Sequence, residues 1–297
     1  LYVKAEYTLA NGKVVETKSS NFLNSVQVEG FGDTGEKTVT LYAVDRSENV
    51  SAPVTVKVNP EMPPVHSVKA TIEMIPDFGG VLYRWKNENN ASLSFLILAT
   101  DSNGVLSEVE TVYSGITDGE YTVRGFAPEE KDFGIVVRDR WDNYSDTAKV
   151  KLTPMFEQIL DKSKFNQVTL DNDHDWAAWE GRYVNAIDND PNTFNHTWAG
   201  TGWPQYWTID LGVVARLSRV NILQRQTHFY RHGNPRLLDI WGIKEEPAQD
   251  GSLDDWYPLR VAPKNGCVAR RPSLEGGTAA EDQEHFEAGD EYSFTLD

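Results

Sequence analysis

Three features predict an all-β chain: a repeated run of alternating apolar residues, turn dipeptides between such runs, and a tryptophan-rich C-terminal segment that keeps short apolar strands after the repeat has ended. The repeat appears when "VDRSENVSAPVTVKVNP" (44–60) is set against "RDRWDNYSDTAKVKLTP" (138–154), an offset of 94 residues. Asp45, Arg46, Asn49, Ser51 and Pro60 then match Asp139, Arg140, Asn143, Ser145 and Pro154. Upstream, Val39, Leu41 and Ala43 align with Phe133, Ile135 and Val137, apolar at every second position as a half-buried strand requires. Asn11-Gly12 aligns with Asn103-Gly104, a dipeptide suited to a tight hairpin. A period of 94 residues is the size of an immunoglobulin or fibronectin-III sandwich. Two tandem sandwiches are expected, over 1–60 and 61–154, joined by the proline-rich "NPEMPP".

The first copy has only ten residues before its Asn-Gly turn, whereas the second runs from 65 to 102 before reaching its own. Leu1 is therefore expected to lie inside the first sandwich, which would be incomplete at its N-terminal edge, with any signal or lipid anchor further upstream. The shared Asp-Arg-x-x-Asn-x-Ser reads as scaffold. Asp and Asn shape a turn through side-chain-to-backbone bonds, and the Arg is expected to pair with a carboxylate across its sandwich.

After Pro154 the composition changes. Seven of the nine tryptophans (176, 179, 198, 203, 207, 241 and 256) fall in the remaining 143 residues. Strands are expected at "YWTIDLG" (206–212), "LSRVNIL" (217–223) and "LLDIWGI" (237–243), and one short helix at "MFEQILDKSKF" (155–165). A third all-β domain over 155–297 follows.

Bulk properties exclude several functions. A net charge of −17 argues against nucleic acid and anionic membranes, because phosphate recognition needs a basic face. No apolar run approaches the length of a membrane span. The single cysteine, Cys267, forms neither an internal disulfide nor a cysteine zinc site. The sequons at Asn49, Asn90, Asn143 and Asn195 read as chance in an Asn-rich β protein.

Against that acidic background, residues 211–238 contain no carboxylate but five arginines (216, 219, 225, 231 and 236) and two histidines (228 and 232). Arg216 and Arg219 suit outward strand positions paired with acids. "RQTHFYRHGNPR" (225–236) mixes cations and aromatics, His228 and Tyr230 among them, in a loop rich in Gly, Asn and Pro, and loops on rigid scaffolds are where binding residues concentrate.

"NAIDNDPNTFNHTW" (185–198), "WPQYWTIDLG" (203–212) and "LQRQTHFYRHGNPRLLDIWG" (223–242) together resemble the galactose-binding, discoidin or factor V/VIII type C jelly-roll sandwich, and within it carbohydrate-binding modules. With "DFGG" (77–80), "RDRWDNYSD" (138–146) and "LDKSKF" (160–165), the whole chain is similar to a three-domain family found beside the SusC/SusD glycan-uptake systems of Bacteroidota, in which two fibronectin-like domains precede a discoidin-like one. The resemblance implies an extracytoplasmic protein, at the outer-membrane surface or in the periplasm. It also implies a sugar site in which His196 and Arg225 bond hydroxyls, Trp198 supplies an aromatic plate, Asn234 turns the following loop and Glu180 is an upstream acceptor. Trp203 is a further candidate ring. Such a set suits a sugar, which offers paired hydroxyls to fork-like donors and a C–H face to a ring. Packing alone is the competing account of Trp198 and Trp203. Two residues depart from the pattern: Asn195 stands where a tryptophan is usual, leaving Phe194 to fill that space, and Asn189 where a glycine is usual.

An EF-hand starting at Asp188 fails, since Thr193 and Ala199 stand where Gly and Glu are needed. The resemblance instead implies one structural calcium or sodium ion, held by Asp188, Asp190, Thr193, the Asn185 carbonyl and a late glutamate that "FTLD" gives no means of placing. Oxygen-only ligands suit a hard cation. A turn capped by Asp188 without any ion is the alternative.

Catalysis finds little support. A glycosidase needs two facing carboxylates, one with a raised pKa, and the acids here scatter over turns such as "EEPAQDGSLDD" (245–255). Neither Gly-x-Ser-x-Gly nor His-Glu-x-x-His occurs. The expected function is non-catalytic glycan binding at the loop end of the last domain. The rival is an adaptor without a sugar site that docks to an outer-membrane transporter or a glycoside hydrolase.

Overall fold

The computed structural model describes residues 2–20, 22–23 and 25–294, so Leu1 and the end of "FTLD" lie outside the described residues. Contacts divide the chain into two compact units, Leu1–Glu157 and Gln158–Asp297.

The first unit opens with β1 (Tyr2–Thr8), β2 (Val14–Lys18), β3 (Lys37–Val44) and β4 (Val54–Val58), an antiparallel sheet in the order β2-β1-β3-β4. The β1–β2 hairpin turns at Gly12, whose φ of 83° is open to glycine at no steric cost. Alternation along the strands sends Ala5, Tyr7 and Val39 inward, where Val28 and Phe31 pack over them. Tyr7 fixes that covering segment twice: its hydroxyl donates to the Glu29 carbonyl at 2.9 Å and accepts from the Glu29 N–H at 3.0 Å.

A short helix, α1 (Pro64–Lys69), leads into β5 (Glu73–Asp77), β6 (Gly80–Lys86), β7 (Leu93–Thr100), β8 (Leu106–Ser114), β9 (Asp118–Arg124), β10 (Lys131–Asp139) and β11 (Ala148–Leu152). They form a three-stranded sheet, β5-β6-β9, and a four-stranded one, β11-β10-β7-β8, the three-plus-four arrangement of a fibronectin-III-like sandwich. The order β8-β7-β10-β11 repeats β2-β1-β3-β4, so the sequence repeat is also a repeat of topology. Tyr83 and Trp85 meet Phe95, Ile97, Phe133 and Ile135 in the core, with Trp85 stacked on Phe95 at 4.1 Å. Each such side chain contributes roughly 1.5–3 kcal/mol on burial. The "DFGG" turn makes this closeness possible, because a Cβ at Gly80 would lie 1.7 Å from the Val123 carbonyl oxygen.

The repeated loop has one conformation in both copies. Asp45 Oδ1 accepts from the backbone of Ser47 and Asn49, and Asp139 Oδ1 from that of Trp141 and Asn143. Glu48 and Asp142 then occupy the same left-handed position, with φ of 61° and 63°. The expected arginine pairing needs correction. Arg140 reaches Glu29 at 2.7 Å, beside the first sheet and outside its own sandwich. Trp141 packs on the first core, and Asn143 Nδ2 donates to the Gly30 carbonyl at 3.0 Å. Glycine is needed at position 30, because a Cβ there would meet the Trp141 ring at 2.7 Å.

The helix expected over 155–165 is reduced to one 3-10 turn, Lys162–Lys164, capped by Asp161. Its first part is held extended because Met155 bonds through its backbone to Asp77 and Gly79. The second unit is built from short ladders. β12 (Asn166–Gln167) pairs with β13 (Ile209–Asp210), β14 (Arg219–Ile222) with β19 (Asp290–Ser293), β15 (Leu237–Leu238) with β18 (Cys267–Val268), and β16 (Ile240–Gly242) with β17 (Tyr257–Arg260). The strands expected at 206–212, 217–223 and 237–243 are all present but shorter. Two α-helices were not expected: α1, and here α2 (Ala279–Ala288), opened by a Thr278/Glu281 capping box and closed at Gly289. Phe286 of α2 packs edge-on against Phe229 and Tyr230, which ties the 225–236 loop to this helix.

Candidate functional site

The 225–236 loop owes its shape to side-chain-to-backbone bonds. Asn234 Oδ1 accepts from the Arg225 N–H at 2.9 Å, and its Nδ2 donates to the His228 carbonyl at 2.8 Å. Tyr230, His232 and Gly233 all have positive φ, of 47°, 55° and 80°. A bulky residue in that region costs free energy unless its surroundings impose it, and such sites concentrate where loops are shaped for function. Gly233 makes room for the His196 ring, which lies 3.4 Å from where a Cβ would stand.

This fold brings His196, Arg225, His228 and Asn234 together and adds His232. The Arg225 guanidinium lies over the Phe194 ring at 3.7 Å, so the residue expected to fill the place of a missing tryptophan serves as a floor for a cation. Arg225 Nε donates to Thr227 Oγ1 at 3.1 Å, and among the described residues neither terminal nitrogen has an acceptor. The His228 and His232 rings stand 4.3 Å apart. Burial, then the positive charges of Arg225, His232 and His196, hold the His228 imidazole below its ordinary pKa. His196 Nδ1 lies 2.6 Å from the Thr197 carbonyl oxygen and Nε2 3.1 Å from that of His232. Both partners are carbonyl acceptors, so each ring nitrogen is turned to the protein backbone. His196 thus joins two loops and has no ring nitrogen left for a sugar hydroxyl.

Trp198, two residues on, forms a second group. Its indole N–H donates to Asp175 Oδ2 at 3.1 Å, and its ring lies 5.8 Å from that of Trp179. Both tryptophans are exposed, and Trp179 and Glu180 have successive positive φ, of 57° and 70°. Glu180 is exposed and makes no hydrogen bond among the described residues. Trp203 is 84% exposed on a loop tied to Thr197 through Gln205. Tyr230 goes elsewhere: its hydroxyl donates to the Arg270 carbonyl at 3.0 Å, and its ring joins the packing on α2. Of the arginines, Arg219 pairs with Glu291 at 2.9 Å, while Arg225, Arg231 and Arg236 have no carboxylate within 4.0 Å among the described residues.

The 185–193 turn gathers oxygens. Thr193 Oγ1 lies 2.7 Å from Asp188 Oδ2, 3.1 Å from the Asp190 carbonyl and 3.3 Å from the Asn185 carbonyl. These oxygens are of the kind a hard cation takes, while Asp188 Oδ1 also accepts from the Asp190 N–H at 2.9 Å, the bond that a turn capped without an ion makes. Of Asp190, the carbonyl oxygen faces Thr193, while Oδ1 of its carboxylate accepts from the Asn192 N–H and amide. Asn189, in the usual glycine's place, has the φ of 63° that glycine would favour.

Fold and site together define a class: an all-β sandwich protein whose C-terminal unit carries a loop-borne cluster of cations and aromatics. Three family models match in succession, each described as a domain of unknown function: DUF4959 over residues 1–60, DUF5126 over 61–163 and DUF5000 over 179–297. Among solved structures, a SusE-like protein is 29% identical over 79% of this chain and 88% of its own, with a TM-score of 0.45. A two-domain fibronectin type-III segment of chicken tenascin is 18% identical over 52% and 84%, with a TM-score of 0.28. The fibronectin(III)-like modules of Clostridium thermocellum CbhA are 11% identical over 53% and 81%, with a TM-score of 0.20. No curated protein matches the chain. No helix among the described residues is long and apolar enough to cross a membrane.

Proposed function

We propose that this chain is a non-catalytic glycan-binding protein of a polysaccharide-uptake system, acting outside the cytoplasm, with its site on the loops of a discoidin-like C-terminal domain. The observation that carries this reading is the Arg225 fork, held flat on Phe194 in the loop cluster of His196, together with the exposed Trp198, two residues after His196, whose ring lies by that of exposed Trp179. Fork donors and an aromatic plate are what a sugar recognises. In this reading the two fibronectin-like parts act as a spacer, and the uptake-system setting rests on the sequence resemblance. Each described Asp or Glu whose pKa is displaced is held low, Asp190 and Asp282 among them, whereas a general acid needs a raised one.

A calcium or sodium ion in the 185–193 turn would be held by Asp188, Thr193 and the carbonyls of Asn185 and Asp190. Its role would be to fix the loop that carries His196 and Trp198. Affinity electrophoresis through gels containing neutral and acidic polysaccharides tests the function. The wild type should be retarded by at least one of them, and Arg225→Ala and Trp198→Ala should migrate freely while keeping the wild-type circular dichroism. Migration unaffected by every polysaccharide sinks the reading and leaves the adaptor, to be sought by co-purification with a transporter or hydrolase.

A further inference from the structure

We propose that the cluster of Arg225, His196, His228 and His232 receives an oxyanion, so that the glycan bound at this site is an acidic one, bearing carboxylate or sulfate groups. The inference rests on the proposed glycan site and narrows its ligand. In a chain of net charge −17, several arginines find a carboxylate, as Arg219 finds Glu291 at 2.9 Å and Arg271 finds Asp282 at 3.0 Å. Arg225 is half-buried and does not. Phe194 lies under its face and Thr227 takes its Nε, which leaves the end of the fork without a protein acceptor among the described residues. That end presents parallel N–H groups at the spacing of a carboxylate or sulfate edge, the geometry for which arginine is better suited than lysine.

Three imidazoles stand around the fork. His196 faces a carbonyl oxygen from each ring nitrogen, and the groups whose positive charge bears on His228, after burial, are Arg225, His232 and His196. An anion at the fork meets the positive field that, after burial, holds the His228 imidazole below its ordinary pKa. A neutral sugar hydroxyl gains nothing from that field, since it brings no charge. The aromatic pair Trp179–Trp198 would remain available for the neutral face of the ring or of its neighbour.

Isothermal titration at pH 6 and low ionic strength tests this with matched probes: oligogalacturonate against its carboxyl-reduced form, and a sulfated galactan oligosaccharide against its desulfated form. At least one charged member should bind about tenfold or more tightly than its neutral counterpart, as expected of a charge-assisted fork. Arg225→Gln should lose that preference, and Arg225→Lys should recover only part of it. The imidazole proton resonances of His228 and His232 should move on binding, and circular dichroism checks that the variants fold. Equal binding of charged and neutral members overturns the oxyanion while leaving the glycan site standing. A charge preference that survives Arg225→Gln overturns the placement. Absence of binding to all four probes overturns it too, and the polysaccharide gels then decide separately whether any glycan binds.

Discussion

Asp282, only 2% exposed, accepts bonds from the Ser273 N–H and hydroxyl, each at 2.7 Å, and from Arg271 Nε at 3.0 Å. Burial alone would raise its pKa, but the bonds from Ser273 and Arg271 outweigh burial and hold it below the ordinary value. A carboxylate lowered on folding adds stability that is complete above the unfolded pKa, near 4, and is lost as pH falls through the folded value. Asp282→Asn should therefore unfold at lower urea than the wild type at pH 7, with the gap narrowing as pH falls below about 4. A gap of constant size across that range would contradict the assignment. At this scale the sequence was legible where one residue type has one use. The Asp188–Thr193 turn, with an asparagine in a left-handed position, follows from its side chains. The task of Phe194 was not legible, because an aromatic beside a missing tryptophan reads as filler until Arg225 is seen lying on it. Nor could sequence show that both nitrogens of His196 meet carbonyls, since the partner at His232 is 36 residues away.

The duplicated Asp-Arg-x-x-Asn-x-Ser loop shows how one local code acquires two uses among elements. Both copies close the same turn, yet only the β10–β11 copy inserts Trp141 where the β3–β4 copy has Ser47. Trp141→Ala should thus loosen β1–β4 more than β5–β11. Half-buried, it should cost on the order of 2 kcal/mol, less than a fully buried tryptophan. Amide hydrogen exchange should rise in β1 and β3 and stay slow in β6 and β7; a uniform rise would mean that the loop does not join the two sheets. Alternation and Asn-Gly turns made the strands of this unit readable. α2 was missed despite a Thr-x-x-Glu start and a Gly stop, because its stretch is acidic and the only residues it buries are Asp282 and Phe286. The expected helix at 155–165 failed for the opposite reason: local composition favoured it, but Met155 is bonded to a turn far away in sequence.

For the molecule as a whole, the readable quantity was the repeat, and contacts then draw a boundary at Glu157, close to Pro154 where the composition changes. The second unit was harder to read, because its strands are only two to four residues long and its order comes from loops closed by side chains. Cys267 offers a probe of that order. It is fully buried, and burial raises its thiol pKa, so at pH 7.5 the native protein should react with maleimide far more slowly than a free thiol. In increasing urea, labelling should follow the loss of structure in Gln158–Asp297; fast labelling of the native protein would contradict this burial.

Asn143 heads the triplet Asn-Tyr-Ser, yet its side chain is 8% exposed and its amide nitrogen already donates to the Gly30 carbonyl and Asp139. A secretory pathway that attaches oligosaccharides to such triplets acts on the nascent chain, before this nitrogen is withdrawn from reach. A carbohydrate chain there would take the place of the bond to Gly30 and leave no room for Trp141 to seat. The choice of production host thus becomes structural: cells without that modification leave the joint between the two sheets free to close, and cells with it turn the same residue into a wedge.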